Sequence, residues 1–158
     1  WGYDPLPLFR ELPESPYSTP ELFKEYPLIF TSAKDPFYFH SSNRNIPSLR
    51  KLSSEPIALI HPETASHLGV DEGDWISIET KRGTIQQKAK LTPEIDFRVI
   101  VLSFGWWFPE RKDLELFGWK ESNLNILTDN GPPYDPAIGS VPLRAVLCRV
   151  HKARGFEK

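Results

Sequence analysis

Short apolar runs broken by turn residues, rather than long amphipathic stretches, set the pattern of this chain. Pro27-Leu28-Ile29-Phe30-Thr31-Ser32 is an apolar run that ends in small hydroxyl residues and reads as the first strand. Glu55-Pro56-Ile57-Ala58-Leu59-Ile60 reads as a second. It leads into His61-Pro62-Glu63-Thr64-Ala65-Ser66-His67-Leu68-Gly69, a compact helix. Pro62 suits its first turn, Glu63 complements the dipole there, and Gly69 suits a left-handed stop. Asp71-Glu72-Gly73-Asp74 makes a turn, and Trp75-Ile76-Ser77-Ile78-Glu79-Thr80 alternates as a half-buried strand. Arg82-Gly83 is a tight connection into Thr84 to Leu91, the expected hairpin partner. Arg98 to Ser103 and Leu143 to Val150 complete the strands. Between them, from about Gly105 to Pro142, runs an irregular stretch rich in Trp, Pro, Gly and Asn, and connections of that length are usually functional or interfacial.

Many short strands with few helices point to a closed β-barrel with short helical inserts, a mainly β fold. The length suits one domain with a real core. The expected division is an arm over residues 1–25, a barrel domain over 26–152 and a tail over 153–158, with fraying from His151 onward. The opening carries Trp1-Gly2-Tyr3-Asp4 and then Pro5, Pro7, Pro13, Pro16 and Pro20, too proline-rich for a core of its own. There is no methionine in the sequence, so a larger polypeptide is expected upstream.

Composition narrows the function classes. Acids outnumber bases by 21 to 19, which leaves no electrostatic footprint for wrapping nucleic acid. No apolar run approaches the length that crosses a bilayer, so membrane insertion is not expected. The single cysteine, Cys148, excludes an internal disulfide and a thiolate zinc cluster. Within Val146-Leu147-Cys148-Arg149-Val150 it shares a face with Val146 and Val150 and reads as a small buried hydrophobe.

Two segments concentrate hydrogen-bonding side chains. Tyr38-Phe39-His40-Ser41-Ser42-Asn43-Arg44 offers an imidazole, hydroxyls, an amide and a guanidinium within a few residues. His40 suits a base, a metal ligand or a donor to a bound group, and Arg44 and Arg50 suit bidentate pairing with phosphate. Ser122-Asn123-Leu124-Asn125-Ile126-Leu127-Thr128 alternates. In an extended chain Asn123 and Asn125 would face a ligand together while Leu124 and Ile126 face the core. Thr31-Ser32-Ala33-Lys34 ends a strand in small residues that let backbone N–H groups approach an anion, but it lacks the glycines of a P-loop. Gly105-Trp106-Trp107-Phe108-Pro109 reads as core packing or a domain contact. His61 and His67 sit six apart, out of line for a shared metal, and no nucleophile with a base emerges. No catalytic and no metal-ligating set is expected.

These residues carry a resemblance. The chain resembles the C-terminal cofactor-binding domain of the molybdopterin oxidoreductases, the dimethyl-sulfoxide-reductase family. The matching elements are Thr31-Ser32-Ala33-Lys34, Tyr38-Phe39-His40-Ser41 with Arg44, Ile46-Pro47-Ser48-Leu49-Arg50 and Ile60 to Ala65. They continue through Leu68 to Trp75, Arg82-Gly83, Gly105-Trp106-Trp107, Ser122 to Thr128 and Leu143 to Cys148. Order and spacing agree over nearly the whole chain from Tyr26 onward. The resemblance implies a six-stranded double-psi β-barrel with Gly73-Asp74 at one of its turns. It implies binding of the bis(molybdopterin guanine dinucleotide) cofactor, whose molybdenum or tungsten is held by the pterin dithiolenes and by an upstream domain. Thr31, Ser32, Ala33 and Lys34 would then lie by the pyrophosphate or guanosine. Tyr38, His40, Ser41, Ser42, Asn43 and Arg44 would meet the pterin and phosphate, and Asn123 and Asn125 the pterin edges. Where the family often has Thr-Gly-Arg, this chain lacks the glycine, and Lys34 replaces a fork with a point charge. The implied partners are the upstream domains of a parent oxidoreductase, with no catalysis by this chain alone.

Three other readings stay open on the residues themselves. One is a free-standing small barrel subunit, and another is a protein-interaction domain of the same fold. The third is a self-processing barrel decarboxylase, for which Gly139-Ser140 is the only sign.

Overall fold

The computed structural model describes residues 2, 6 and 8–155. Most of the proline-rich opening before Leu8 and the last three residues of the expected tail therefore lie outside the described residues. Six strands, β1 (Leu28–Ala33), β2 (Ile57–Ile60), β3 (Trp75–Thr80), β4 (Gly83–Leu91), β5 (Val99–Ser103) and β6 (Val146–Lys152), close into a barrel in the order β1-β5-β2-β4-β3-β6. β1 runs parallel to β5 and β2 parallel to β4, while the other neighbours are antiparallel. This is the double-psi β-barrel expected from the sequence. Closure leaves no strand edge open to another chain.

Period-two alternation explains most of the strands. In β4, Ile85, Gln87 and Ala89 point inward, and in β5 Ile100 and Leu102 do so. With Phe30, Ile60, Ile76 and Ile78 these form the core, and several have no exposed surface at all. Each such aliphatic or aromatic side chain contributes about 1.5–3 kcal/mol by burial. The β3–β4 hairpin runs in register from Trp75↔Lys88 to Thr80↔Gly83, turning at Lys81-Arg82. Glycine is needed at 83 because a Cβ there would stand 2.8 Å from Ile126 Cγ2 and 3.0 Å from its carbonyl oxygen.

Among the described residues four short α-helices decorate the barrel: α1 (Pro20–Glu25), α2 (Pro47–Leu52), α3 (Pro62–Leu68) and α4 (Trp119–Ser122). α3 is the helix expected from its punctuation. His61 Nδ1 accepts from the Glu63 N–H at 3.2 Å, and Gly69 closes the helix at φ 63°. α1 and α2 fall where arm and loop were expected. Each begins on proline, whose missing N–H costs nothing in a first turn.

The last strand departs from expectation at both ends. It starts at Val146, not Leu143, and it includes His151 and Lys152, which pair with Ser77 and Ile76 instead of fraying. Lys152 Nζ is anchored 2.7 Å from Asp74 Oδ2. Cys148 is fully buried as read from the sequence, and burial pushes its thiol far above the usual range. Of the arm, Glu14 docks against the hairpin turn, with Oε1 2.6 Å from both Lys81 Nζ and Arg82 Nη2.

Candidate functional site

Because β1 and β5 are parallel neighbours with Ala33 opposite Ser103, the segments that follow them leave the same end of the barrel. The 34–45 segment and the 104–108 segment are therefore built side by side. A third piece, α4 with the 3-10 turn Leu124–Ile126, packs along β4. Gln87 ties the end of β5 to α4 from inside. Its amide nitrogen donates to the carbonyls of Ser103 (3.1 Å) and Ser122 (3.0 Å), and its oxygen accepts from Ser103 N–H (3.0 Å). Sequence reading missed Gln87. The available signal was a glutamine on the inward face of a strand, between Ile85 and Ala89.

Phe39, His40, Ser41, Ser42 and Asn43 are all exposed, yet their backbone is held. Ser42 N–H donates to the Phe39 carbonyl (2.9 Å), and Trp107 Nε1 donates to the Ser41 carbonyl (2.6 Å). Gly105, at φ 62°, lets the two segments touch backbone to backbone: a Cβ there would lie 3.1 Å from Ser41 N and 3.2 Å from His40 C. His40 and Asn43 both adopt positive φ, 54° and 71°. That conformation costs a non-glycine residue energy and persists only where the surroundings impose it. The His40 ring is flanked edge-on by Phe39 and Phe104 at 4.9 and 5.5 Å between centroids.

Tyr38 and Arg44, expected at a ligand, lie inside the protein. Tyr38 donates its hydroxyl to the Ser53 carbonyl and packs with Trp106 and Phe108. Arg44 is fully buried between the rings of Tyr38 and Trp106, 4.2 and 4.1 Å from their centroids. Its guanidinium donates to the carbonyls of Gly105, Phe104 and His40. Desolvation lowers its pKa to about 10. Arg50 pairs with Glu110 (2.5 Å) and stands over Trp106. The aromatic cluster divides: Trp106 is core, as expected, whereas Trp107 reaches the 39–43 segment.

The expected strand over 122–128 is corrected by the structure. Asn123 caps a 3-10 turn, its Oδ1 accepting from Asn125 N–H at 3.1 Å, so the local side-chain bond replaces a ladder bond. The two amides consequently do not face one way. Asn123 is buried and donates to the Trp106 carbonyl (3.3 Å), while Asn125 is exposed, its side-chain amide without a partner among the described residues. Leu124 and Leu127, not Leu124 and Ile126, are the buried pair.

Thr31 and Ser32 are half-buried at the end of β1, and Ala33 and Lys34 are exposed. Lys34 has no hydrogen-bond or ion-pair partner among the described residues. Most other cations do: Arg82 sits between Glu14 and Asp129, Arg149 on Glu79, and Arg98 on Asp96. The barrel end thus presents an unpaired ammonium, an imidazole, two serine hydroxyls and two amides. Just beneath, Arg44 Nη1 and Trp106 Nε1 are buried donors without an acceptor among the described residues. A surface of exposed hydrogen-bonding side chains with an unneutralised cation suits an anionic, acceptor-rich ligand.

Residues 28–147 match the family described as the molydopterin dinucleotide binding domain. The chain belongs to that family. It is 40% identical over 149 residues to the dopamine dehydroxylase of Eggerthella lenta, covering 94% of this chain and 14% of that protein. It is 34% identical over 157 residues to the acetylene hydratase of Syntrophotalea acetylenica, covering 96% of this chain and 22% of the relative. Among solved structures, acetylene hydratase from Pelobacter acetylenicus superposes with a TM-score of 0.88 at 32% identity, again over 96% of this chain and 22% of the other. The chain therefore spans about a seventh to a fifth of the length of these relatives. As a molybdopterin dinucleotide-binding domain, it takes the guanine dinucleotide form of the molybdenum or tungsten cofactor. The donors at the barrel end fit the phosphates and the polar pterin edges of that group. Among the described residues no helix is long and apolar enough to cross a membrane.

Proposed function

We propose that this chain is the cofactor-holding C-terminal domain of a larger molybdopterin oxidoreductase, forming one wall of the cage around a bis(molybdopterin guanine dinucleotide) group. The barrel would span 26–152, with 1–25 as the connecting arm and 153–158 as a tail, and upstream domains would supply the metal's protein ligand. The observation that carries the reading is the pinned 39–43 segment. It is a loop of exposed polar side chains whose backbone is fixed in a costly conformation against the exit of β5.

In this reading His40, Ser41, Ser42 and Asn43 hydrogen-bond the pterin and adjoining phosphate, and Asn125 offers its exposed amide to a pterin edge. Lys34, with the N–H groups around Thr31, Ser32 and Ala33, takes the pyrophosphate as a point charge. Tyr38, Arg44 and Asn123 hold this surface from behind. When bound, the cofactor supplies a metal centre able to accept and return electrons. The domain's own contribution is to bind, orient and exclude water, since a preformed surface loses less entropy on binding than a mobile one.

The test is cofactor content in the full-length parent. His40→Ala and Asn125→Ala should each lower molybdenum or tungsten, measured by mass spectrometry, together with the GMP released by acid. Both variants should remain folded by circular dichroism. Normal metal and GMP in both variants would refute the assignment.

A further inference from the structure

Arg44 makes no direct ion pair among the described residues, Asp35 acting on it only from a distance, although it is fully buried. A buried cation without a counter-ion is costly, and an apolar side chain of the same volume would fill the space more cheaply. What a hydrocarbon could not supply is the pattern of donors. Nε reaches the Gly105 carbonyl (3.1 Å), and Nη2 reaches those of Phe104 (2.7 Å) and His40 (3.4 Å). Those acceptors belong to the two segments whose contact builds the candidate surface: the left-handed residue His40 on one side, and the exit of β5 on the other. Stacking between Tyr38 and Trp106 fixes the plane of the guanidinium, so the three bonds define one spacing between the segments.

We propose that Arg44 is a positioning residue: without touching the cofactor, it sets the placement of the His40–Asn43 segment against Phe104–Gly105, and so prepares the surface before the cofactor arrives. The inference rests on the functional reading above. Arg44 differs from the other pins because Trp107 bonds the Ser41 carbonyl and Gly105 only permits close backbone contact, whereas Arg44 hydrogen-bonds the carbonyl of the strained His40 itself. Lysine cannot replace it, having neither a planar fork nor a face to stack.

The experiment is hydrogen exchange by mass spectrometry on the full-length parent, prepared without and with cofactor, alongside metal and GMP content. Arg44→Met removes the donors at similar volume. In the cofactor-free enzyme it should speed exchange of the amides over 36–46 by roughly tenfold to a hundredfold, the range expected for losing charge-assisted bonds. The amides of β2 and β5 should stay unchanged, and cofactor content should fall several-fold. A purely structural part for Arg44 would loosen β2 and β5 as well, and that result overturns the proposal. Unchanged exchange over 36–46 also overturns it, and if cofactor content nevertheless falls, Arg44 contacts the ligand directly.

His40→Ala separates this inference from its foundation: it should lower cofactor content without changing loop exchange in the cofactor-free enzyme. If Arg44→Met loosens the loop while neither variant alters cofactor content, the cofactor assignment fails and the inference falls with it. Should Arg44→Met not fold, Arg44→Lys keeps the charge, loses the fork and is read by the same criteria, with a smaller rise in exchange expected.

Discussion

Gln87→Leu should be among the most damaging single polar replacements in this chain, even though it introduces no void. The two side chains have similar volume, so the cavity contribution is small. What is lost is a set of three buried hydrogen bonds, to Ser103 N–H, Ser103 C=O and Ser122 C=O, at 3.0, 3.1 and 3.0 Å. Each contributes about 1 kcal/mol net, and an orphaned buried partner costs about 1–3 kcal/mol. The three partners sit where β5, β4 and α4 meet, so they cannot all turn to solvent. The expected loss is about 3–5 kcal/mol. Urea unfolding of this chain, followed by tryptophan fluorescence, reads it as a shift in midpoint at unchanged m value. The same replacement one residue earlier is the control. The side-chain oxygen of Gln86 is buried with no hydrogen-bond partner among the described residues, so Gln86→Leu should not destabilise the chain. A loss below about 1 kcal/mol for Gln87→Leu, or equal losses for the two variants, would refute the account of Gln87 as the internal tie.

Asn123→Ala removes both a cap and the bond to Trp106, and should cost about 1–2 kcal/mol by urea unfolding, whereas Asn125→Ala should be close to neutral in the same assay. Equal effects would mean that the two amides are not divided as described. The Arg82 guanidinium, hydrogen-bonded to Glu14, holds that carboxyl below its ordinary range, against the opposing effect of burial. A depressed folded pKa makes the stabilisation complete above the ordinary carboxylate value and removes it as pH falls through the folded one. The stability difference between wild type and Glu14→Gln should therefore be greatest near neutral pH, start to shrink near the ordinary carboxylate pKa of about 4.3 and vanish only below the lowered folded value, and a pH-independent difference would contradict the ion pair.

The sequence was readable where a segment's own residues decide its structure. The helix from Pro62 to Leu68 is punctuated by His61, Pro62 and Gly69, and the hairpin from Trp75 to Leu91 declares itself by alternation around Arg82-Gly83. The 38–44 segment was readable as a concentration of polar side chains, and it does lie at the barrel end. The roles inside it were not. Arg44 looks like a phosphate ligand because guanidinium groups usually sit at surfaces, and its principal acceptors are carbonyls some 60 residues away. Asn123-Leu124-Asn125-Ile126 fits both an extended chain and a capped 3-10 turn. Over so few residues alternation cannot choose, and the Asn123 side chain chose by bonding its own backbone. Leu143 was placed in the last strand on hydrophobicity alone, yet it remains nearly half exposed outside it.

Barrel closure also imposes an order of events during synthesis. β1 is the first strand made, but its neighbours in the barrel are β5 and β6, the last two. While β2, β3 and β4 leave the ribosome, β1 lacks both of its barrel neighbours, and its Leu28-Ile29-Phe30 run has no strand of the barrel beside it until residues 99–103 and then 146–152 emerge. Contacts so distant along the chain form slowly, and an unpaired apolar strand is a hazard in the interval. The loading of any ligand at the 39–43 segment is tied to the same clock. The Phe104–Trp107 segment that sets this loop follows β5, so a nascent chain cannot present a finished surface before most of the domain has been translated.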